Sequence, residues 1–130
     1  MRKLILLISL LLAGCSSFFL AKYDTSEHSI VNEISTLAQL NKKNCNDSVY
    51  MKKVANDLYF KTILLKNLSS GFKYNDDAIK AEDNLSKIAE GLVNRYATDD
   101  DVSALYCELK LTAIQDTSVA IQRVIARKPR

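Results

Sequence analysis

The chain has 130 residues, 48% hydrophobic and 25% charged, with three glycines, one proline, no tryptophan and a formal net charge of +3. That length fits one small domain, and an apolar and charged content this ordinary excludes a disordered chain. So few glycines and prolines leave too little turn chemistry for a multi-stranded sandwich or barrel, which favours an all-α fold.

At the N-terminus Arg2 and Lys3 precede the apolar run Leu4 to Leu12, which Ala13 and Gly14 close. This is the pattern of a secretory signal peptide, and the run falls well short of the roughly 20 apolar residues that span a bilayer. Leu12-Ala13-Gly14-Cys15 resembles the lipobox of bacterial lipoprotein precursors. The resemblance implies that the Cys15 thiol takes a diacylglycerol, that residues 1–14 are removed, and that the new amino group is acylated. Two or three acyl chains give stable anchoring that one does not. The competing reading is an ordinary signal cleaved nearby with Cys15 a bystander; positive charge, short apolar run and box agreeing in register favour lipidation. Ser16 follows the cysteine where an Asp tends to retain such proteins at the inner membrane, so the resemblance implies the periplasmic face of the outer membrane.

Cleavage removes Arg2 and Lys3 from the 18 basic residues, leaving 16 against 15 acids. The mature domain is nearly neutral, and with no basic stripe interleaved with aromatics a nucleic-acid partner is set aside. Cys45 and Cys107 then remain as an even pair in a secreted domain, the pattern of a disulfide. The bridge would close a loop of 62 residues (107 − 45), worth roughly 4 kcal/mol on the chain-entropy model. Metal binding ranks far below, because two isolated thiols and the single His28 supply no C-x-x-C or H-x₃-H spacing.

Residues 15–23 read as a lipidated membrane tether and residues 24–130 as a helical periplasmic domain. Phe18, Phe19 and Leu20 in the tether have two readings of equal weight, a seat at the membrane interface or packing on the bundle. The first helix starts near Asp24, with Glu27 completing a capping-box-like pair, and carries Ile30, Val31, Ile34, Leu37 and Ala38, with Leu40 as a further candidate, until Asn41–Asn46. The second begins at Asp47 or Ser48 and runs through Met51, Val54, Ala55, Leu58, Ile63, Leu65 and Leu68 to Ser69-Ser70-Gly71, with Gly71 as its C-terminal cap. Tyr59, Phe60 and Leu64 lie off its main stripe, which suits a central element or, less favoured, a partner face.

The third helix opens at Asn75-Asp76-Asp77 and presents Ala78, Ala81, Leu85, Ile88, Ala89, Leu92 and Tyr96. Gly91 inside it suggests close approach of a neighbour. Asp99, Asp100 and Asp101 lack the spacing of a calcium loop and read as caps for a fourth helix running from about Asp101 towards Arg127, with Val102, Leu105, Tyr106, Leu109, Ala113, Ile114, Ala120, Ile121, Val124 and Ile125 at helical spacing. The tail Ala126–Arg130 stops that helix, and a frayed, solvated terminus is preferred to contact with anionic lipid or a partner. A bridge from the end of the first helix to the start of the fourth is taken as favouring a skewed or orthogonal four-helix domain.

Catalytic chemistry has few candidates. His28 stands alone, no serine sits in a nucleophile-elbow context, and Glu82 with Asp83 and Asp76 with Asp77 read as solvated surface. The expectation is a protein that is not an enzyme, with no cofactor, no metal, no evident small-molecule substrate and a protein partner in the envelope. A small lipidated helical chain with one cysteine ending its first helix and one opening its last resembles the pilotins of type II secretion systems. The resemblance is architectural, covering Cys15, Cys45, Cys107 and helix order. It implies an adaptor that holds an apolar helical segment of a large outer-membrane protein. The alternative is a phage or mobile-element lipoprotein, either an outer spanin subunit or an exclusion factor; with Pro129 its only proline, the chain lacks the proline-rich stretches frequent in outer spanins.

Overall fold

The computed structural model describes residues 21–130. The expected signal peptide, the expected lipidation site Cys15 and the Phe18-Phe19-Leu20 cluster lie outside the described residues. Regular structure within them is helical: α1 (Thr25–Asn41), a 3₁₀ turn (Lys42–Asn44), α2 (Ser48–Ser69), α3 (Asp76–Thr98) and α4 (Ala104–Ala126).

Two of the helix starts follow the sequence expectation. Asp24 Oδ1 accepts from the Glu27 amide at 2.8 Å and Asp47 Oδ1 from the Tyr50 amide at 2.9 Å, each satisfying a donor that the first helical turn leaves open. The fourth helix differs. Its cap is Ser103, whose Oγ accepts from the Tyr106 amide at 3.2 Å, while Asp99 accepts from the Asp101 amide at 3.0 Å in the preceding turn. A short hydroxyl next to the helix outcompetes three acids that are occupied in the turn or in solvent. Nor does Gly71 cap α2 in the left-handed region; no glycine among the described residues has positive φ, and Tyr74 alone does, at 59°.

The core follows one repeat. Buried positions advance in alternating steps of four and three: Val31, Ile34, Ala38 and Asn41 on α1; Met51, Ala55, Leu58, Thr62, Leu65 and Ser69 on α2. The pattern continues through Glu82, Leu85, Ala89, Leu92 and Tyr96 on α3 and Cys107, Leu111, Ile114, Ser118, Ile121 and Ile125 on α4. This is the inward-facing seam of a helical bundle, in which each helix buries a narrow stripe.

Each helix packs on two neighbours, α1 on α2 and α4, and α3 on α2 and α4. Their directions alternate. The Tyr23 amide, ahead of α1, donates to the Pro129 carbonyl, beyond α4, at 2.9 Å, whereas the Cys45–Cys107 bridge joins the opposite ends of the same two helices. Alternation itself therefore brings the end of α1 to the start of α4, so the bridge sits where antiparallel order puts it and is no argument for skew.

The tail is not frayed. Lys128 forms an ion pair with Glu27 at 2.7 Å, Pro129 accepts the Tyr23 hydrogen bond, and the Arg130 guanidinium lies 5.3 Å from the centre of the Tyr23 ring. Charge and an aromatic platform give the last residues specific partners that a count of turn-forming residues does not reveal. Gly91 marks no close approach either: a Cβ there would meet only Lys110 Nζ, at 3.9 Å.

Candidate functional site at the two ends of the bundle

Alternation sorts the surface into two ends. The disulfide end contains the close of α1, the start of α2, the close of α3 and the start of α4. Cys45 and Cys107, the pair expected from cysteine arithmetic, are bonded there with Cα atoms 5.7 Å apart. Around them the chain leaves large apolar side chains in solvent: Leu40, Val49, Tyr50, Leu105 and Leu109 are all exposed, Val49 by 75% and Leu105 by 67%. This corrects the apolar stripes expected to include Leu40, Leu105 and Leu109, because the seam there runs through Ala38 and Asn41 on α1 and Cys107 and Leu111 on α4. Apolar surface of this kind, not needed by the core, is what a binding face offers. The face suspected on α2 is present in part, since Phe60 and Leu64 are exposed while Tyr59 packs against the core.

The opposite end is where the chain leaves Ala21, which is itself buried. Here polar groups replace the apolar seam. Glu27 and Glu82 are both fully buried, and Ser69 lies between them, its Oγ 3.0 Å from Glu27 Oε1 and 2.8 Å from Glu82 Oε1. Lys128 Nζ donates to both oxygens of Glu27, at 2.9 and 2.7 Å. Asn75 Nδ2 donates to the Ser69 carbonyl at 3.1 Å and, more weakly, to Glu27 Oε1 at 3.3 Å.

A proton count assigns the states. Ser69 has one hydroxyl proton and cannot donate to two carboxylates at once. Burial pushes the Glu82 carboxyl up to about 8, opposed by the Ser69 hydrogen bond and reinforced by the charge of Glu27. A protonated Glu82 then donates to Ser69 Oγ while Ser69 donates to Glu27, and every proton has an acceptor. Glu82 Oε2 has no partner, an arrangement far less costly for a neutral acid than for an ion.

These contacts correct two sequence readings. Glu82 is not solvated surface; it occupies a core position, and only Asp83 beside it faces out. Asp83 is held down to about 2 by hydrogen bonds from Lys66 and Lys87, both at 2.8 Å, the first of which ties α2 to α3. Glu27 supplies a backbone amide to the Asp24 cap, but its side chain turns into the bundle instead of closing a capping box. The signal that would have found both is the four–three spacing, which puts Glu27 one step before Val31 and Glu82 one step before Leu85.

Other candidates fall as follows. His28 is half-buried, not exposed: its Nδ1 lies 2.7 Å from the Tyr23 hydroxyl, with the rings edge to face. Asp76 and Asp77 are exposed, as expected. Among the described residues no group of three His, Cys, Asp or Glu side chains is placed to hold a metal, and no helix is long and apolar enough to cross a membrane. A cleft of about 230 Å³ opens beside the polar cluster, between Tyr74, Asn75 and Ala78 on one side and Val124 and Pro129 on the other. No family model, curated protein or solved structure matches the chain.

Proposed function

We propose that this is a lipid-anchored protein of the bacterial outer membrane that acts on the periplasmic side as a helical adaptor, gripping another envelope protein through the disulfide end of its bundle. The observation that carries the reading is the polarity of the molecule. The described chain begins at Ala21, six residues beyond Cys15, so a lipid on Cys15 lies within about 20 Å of the polar end. The exposed Leu40, Val49, Tyr50, Leu105 and Leu109 lie towards the other end, about 22–32 Å away along their helices. An anchor at one end and apolar side chains at the other suit delivery and holding of a partner. The disulfide fits an oxidising compartment.

The kind of partner follows from the pilotin resemblance, an apolar helical segment of an outer-membrane multimer laid against the exposed leucines. A photo-crosslinking amino acid at Leu109 in growing cells tests it, with one at Ser70 as the opposite-end control. Adducts with one outer-membrane protein from Leu109, lost on Leu105→Asp with unchanged melting, are the expected result. Adducts from Ser70 alone, or lipid adducts alone, overturn it. Cys15→Ser should move the chain out of the membrane fraction; an unchanged distribution overturns the anchor.

A further inference from the structure

The lipid-proximal end carries a feature that the adaptor reading does not use. Lys22, Lys73, Arg123, Arg127 and Arg130 are all exposed there, contributed by the entry to α1, the turn between α2 and α3, and the last turn and tail of α4. Among the described residues none of the five forms a salt bridge. Against them, among the described residues, the acidic side chains exposed at this end are Asp76 and Asp77, with Asp24 half-buried in its cap. The disulfide end has no such excess, since Asp47, Asp100, Asp101 and Glu108 there offset Lys43, Lys52, Lys53 and Arg95. A chain whose mature charge is close to zero thus concentrates uncompensated cations at one pole.

Two further observations say what this pole faces. Tyr74 is 57% exposed among the cations, with Phe72 and Tyr23 half-buried beside it, and amphipathic rings among basic side chains suit the headgroup level of a bilayer. The tail is also held in place: Pro129 accepts from Tyr23, Lys128 is paired with buried Glu27, and Arg130 covers the Tyr23 ring. Arg127 and Arg130 are therefore presented from a fixed base, on the end from which the chain runs back to Cys15.

We propose that this pole is a docking face for anionic phospholipid, resting on the adaptor reading for its anchor. The acyl chains on Cys15 supply proximity, and Lys22, Lys73, Arg123, Arg127 and Arg130 supply orientation. Each basic side chain near an anionic surface adds roughly fivefold to binding, and the rings of Tyr74 and Phe72 sit among the headgroups. The bundle then stands on the leaflet with its disulfide end directed away from it.

The chain has no tryptophan, so one introduced ring reports on one place. Tyr74→Trp and, separately, Leu109→Trp are purified as the lipidated, membrane-extracted protein and reconstituted with phosphatidylcholine alone or mixed with phosphatidylglycerol, each with brominated acyl chains as quencher. The expected result is a blue shift and quenching at position 74 that need phosphatidylglycerol, disappear in high salt, and disappear in the Lys73→Gln/Arg123→Gln/Arg127→Gln background with unchanged helical content. Position 109 should stay unquenched throughout. Equal quenching at 74 in both lipids, none in either, or quenching at 109 overturns the docking face. Intact mass separates the two readings. An unacylated chain that still binds phosphatidylglycerol vesicles in a salt-sensitive way keeps the face and removes the anchor; an acylated chain without lipid-dependent quenching does the reverse.

Discussion

Raising the pH through neutrality should weaken this fold, and Glu82→Gln should abolish most of the effect. In the unfolded chain the Glu82 carboxyl ionises near its ordinary value of 4.5, whereas in the bundle burial holds its proton up to about 8. Between those values the native state binds more protons than the unfolded state, so stability falls as pH rises, by at most about 1.4 kcal/mol per pH unit. The whole window carries about 5 kcal/mol as a ceiling, and about 3 kcal/mol of it has gone by pH 7. Small domains have about 5–15 kcal/mol in total, so the slope is readily measured. Glutamine matches the volume of the protonated acid, offers an N–H to Ser69 Oγ and cannot ionise. Urea unfolding followed by circular dichroism, from about pH 5 to about pH 9, is the assay. Near pH 5 the two proteins should agree within about 1 kcal/mol, and above pH 7 the variant should be the more stable by about 2–3 kcal/mol. Asp83 does not confuse the measurement, because its carboxyl is depressed to about 2 and its contribution is lost only as pH falls below the ordinary 3.8. A wild-type stability that is flat or rises across the window, or a variant that keeps the wild-type slope, would refute the assignment of a proton to Glu82.

Three further outcomes test the architecture by equilibrium unfolding. Reduction, or Cys45→Ala with Cys107→Ala, opens a bridge spanning 62 residues and should cost roughly 4 kcal/mol; equal thiol labelling of native and reduced mature protein would show that no bridge exists. Lys128→Met strands the buried Glu27 carboxylate and should cost about 3–5 kcal/mol, with proteolysis of the released tail as a second readout; a wild-type melting temperature would mean the tail is not docked. Gly91→Ala should stabilise by about 0.5–1 kcal/mol, since the added methyl meets nothing nearer than 3.9 Å, and a loss of stability would place a neighbour closer than the structure does.

The readable and unreadable parts of this fold divide along a physical line. Helix positions, the caps at Asp24 and Asp47 and the cysteine pair were legible, because each rests on local chemistry or on counting. What reading for apolar residues missed is polar residues doing a core residue's work. Thr62 and Ser69 lie on the same alternation as Leu58 and Leu65, yet an apolar stripe drawn through α2 shifts to Ile63 and Leu68 to avoid them, both of which are only half-buried. Glu82 escapes such a stripe for the same reason, and its adjacency to Asp83 gives the pair the pattern of solvated surface. Long-range pairing cannot be read locally at all: Lys128 meets Glu27 only because the fold returns the last residues to the first helix, 101 positions away in sequence.

That return contact explains why the seam changes character along the bundle. Towards the disulfide end the seam is Ala38, Leu58, Leu92 and Leu111, with the bridge as a covalent staple; at the other end it is Glu27, Ser69 and Glu82. Buried ionic groups rarely add stability compared with apolar residues of the same volume, but they penalise any register that leaves them unpaired. Shifting one helix along the seam by a heptad would still superpose leucine on leucine. It would also carry Glu82 away from Ser69, or Glu27 away from Lys128, and bury a charge without a partner. The bridge fixes α1 against α4 at one pole, and the proton-sharing cluster fixes all four helices at the other. On this argument the double variant Glu27→Leu/Lys128→Met, unlike Lys128→Met alone, should recover wild-type stability or exceed it by about 1–4 kcal/mol. Its tail would no longer be held by charge, and the basic pole would lose the fixed base from which Arg127 and Arg130 are presented.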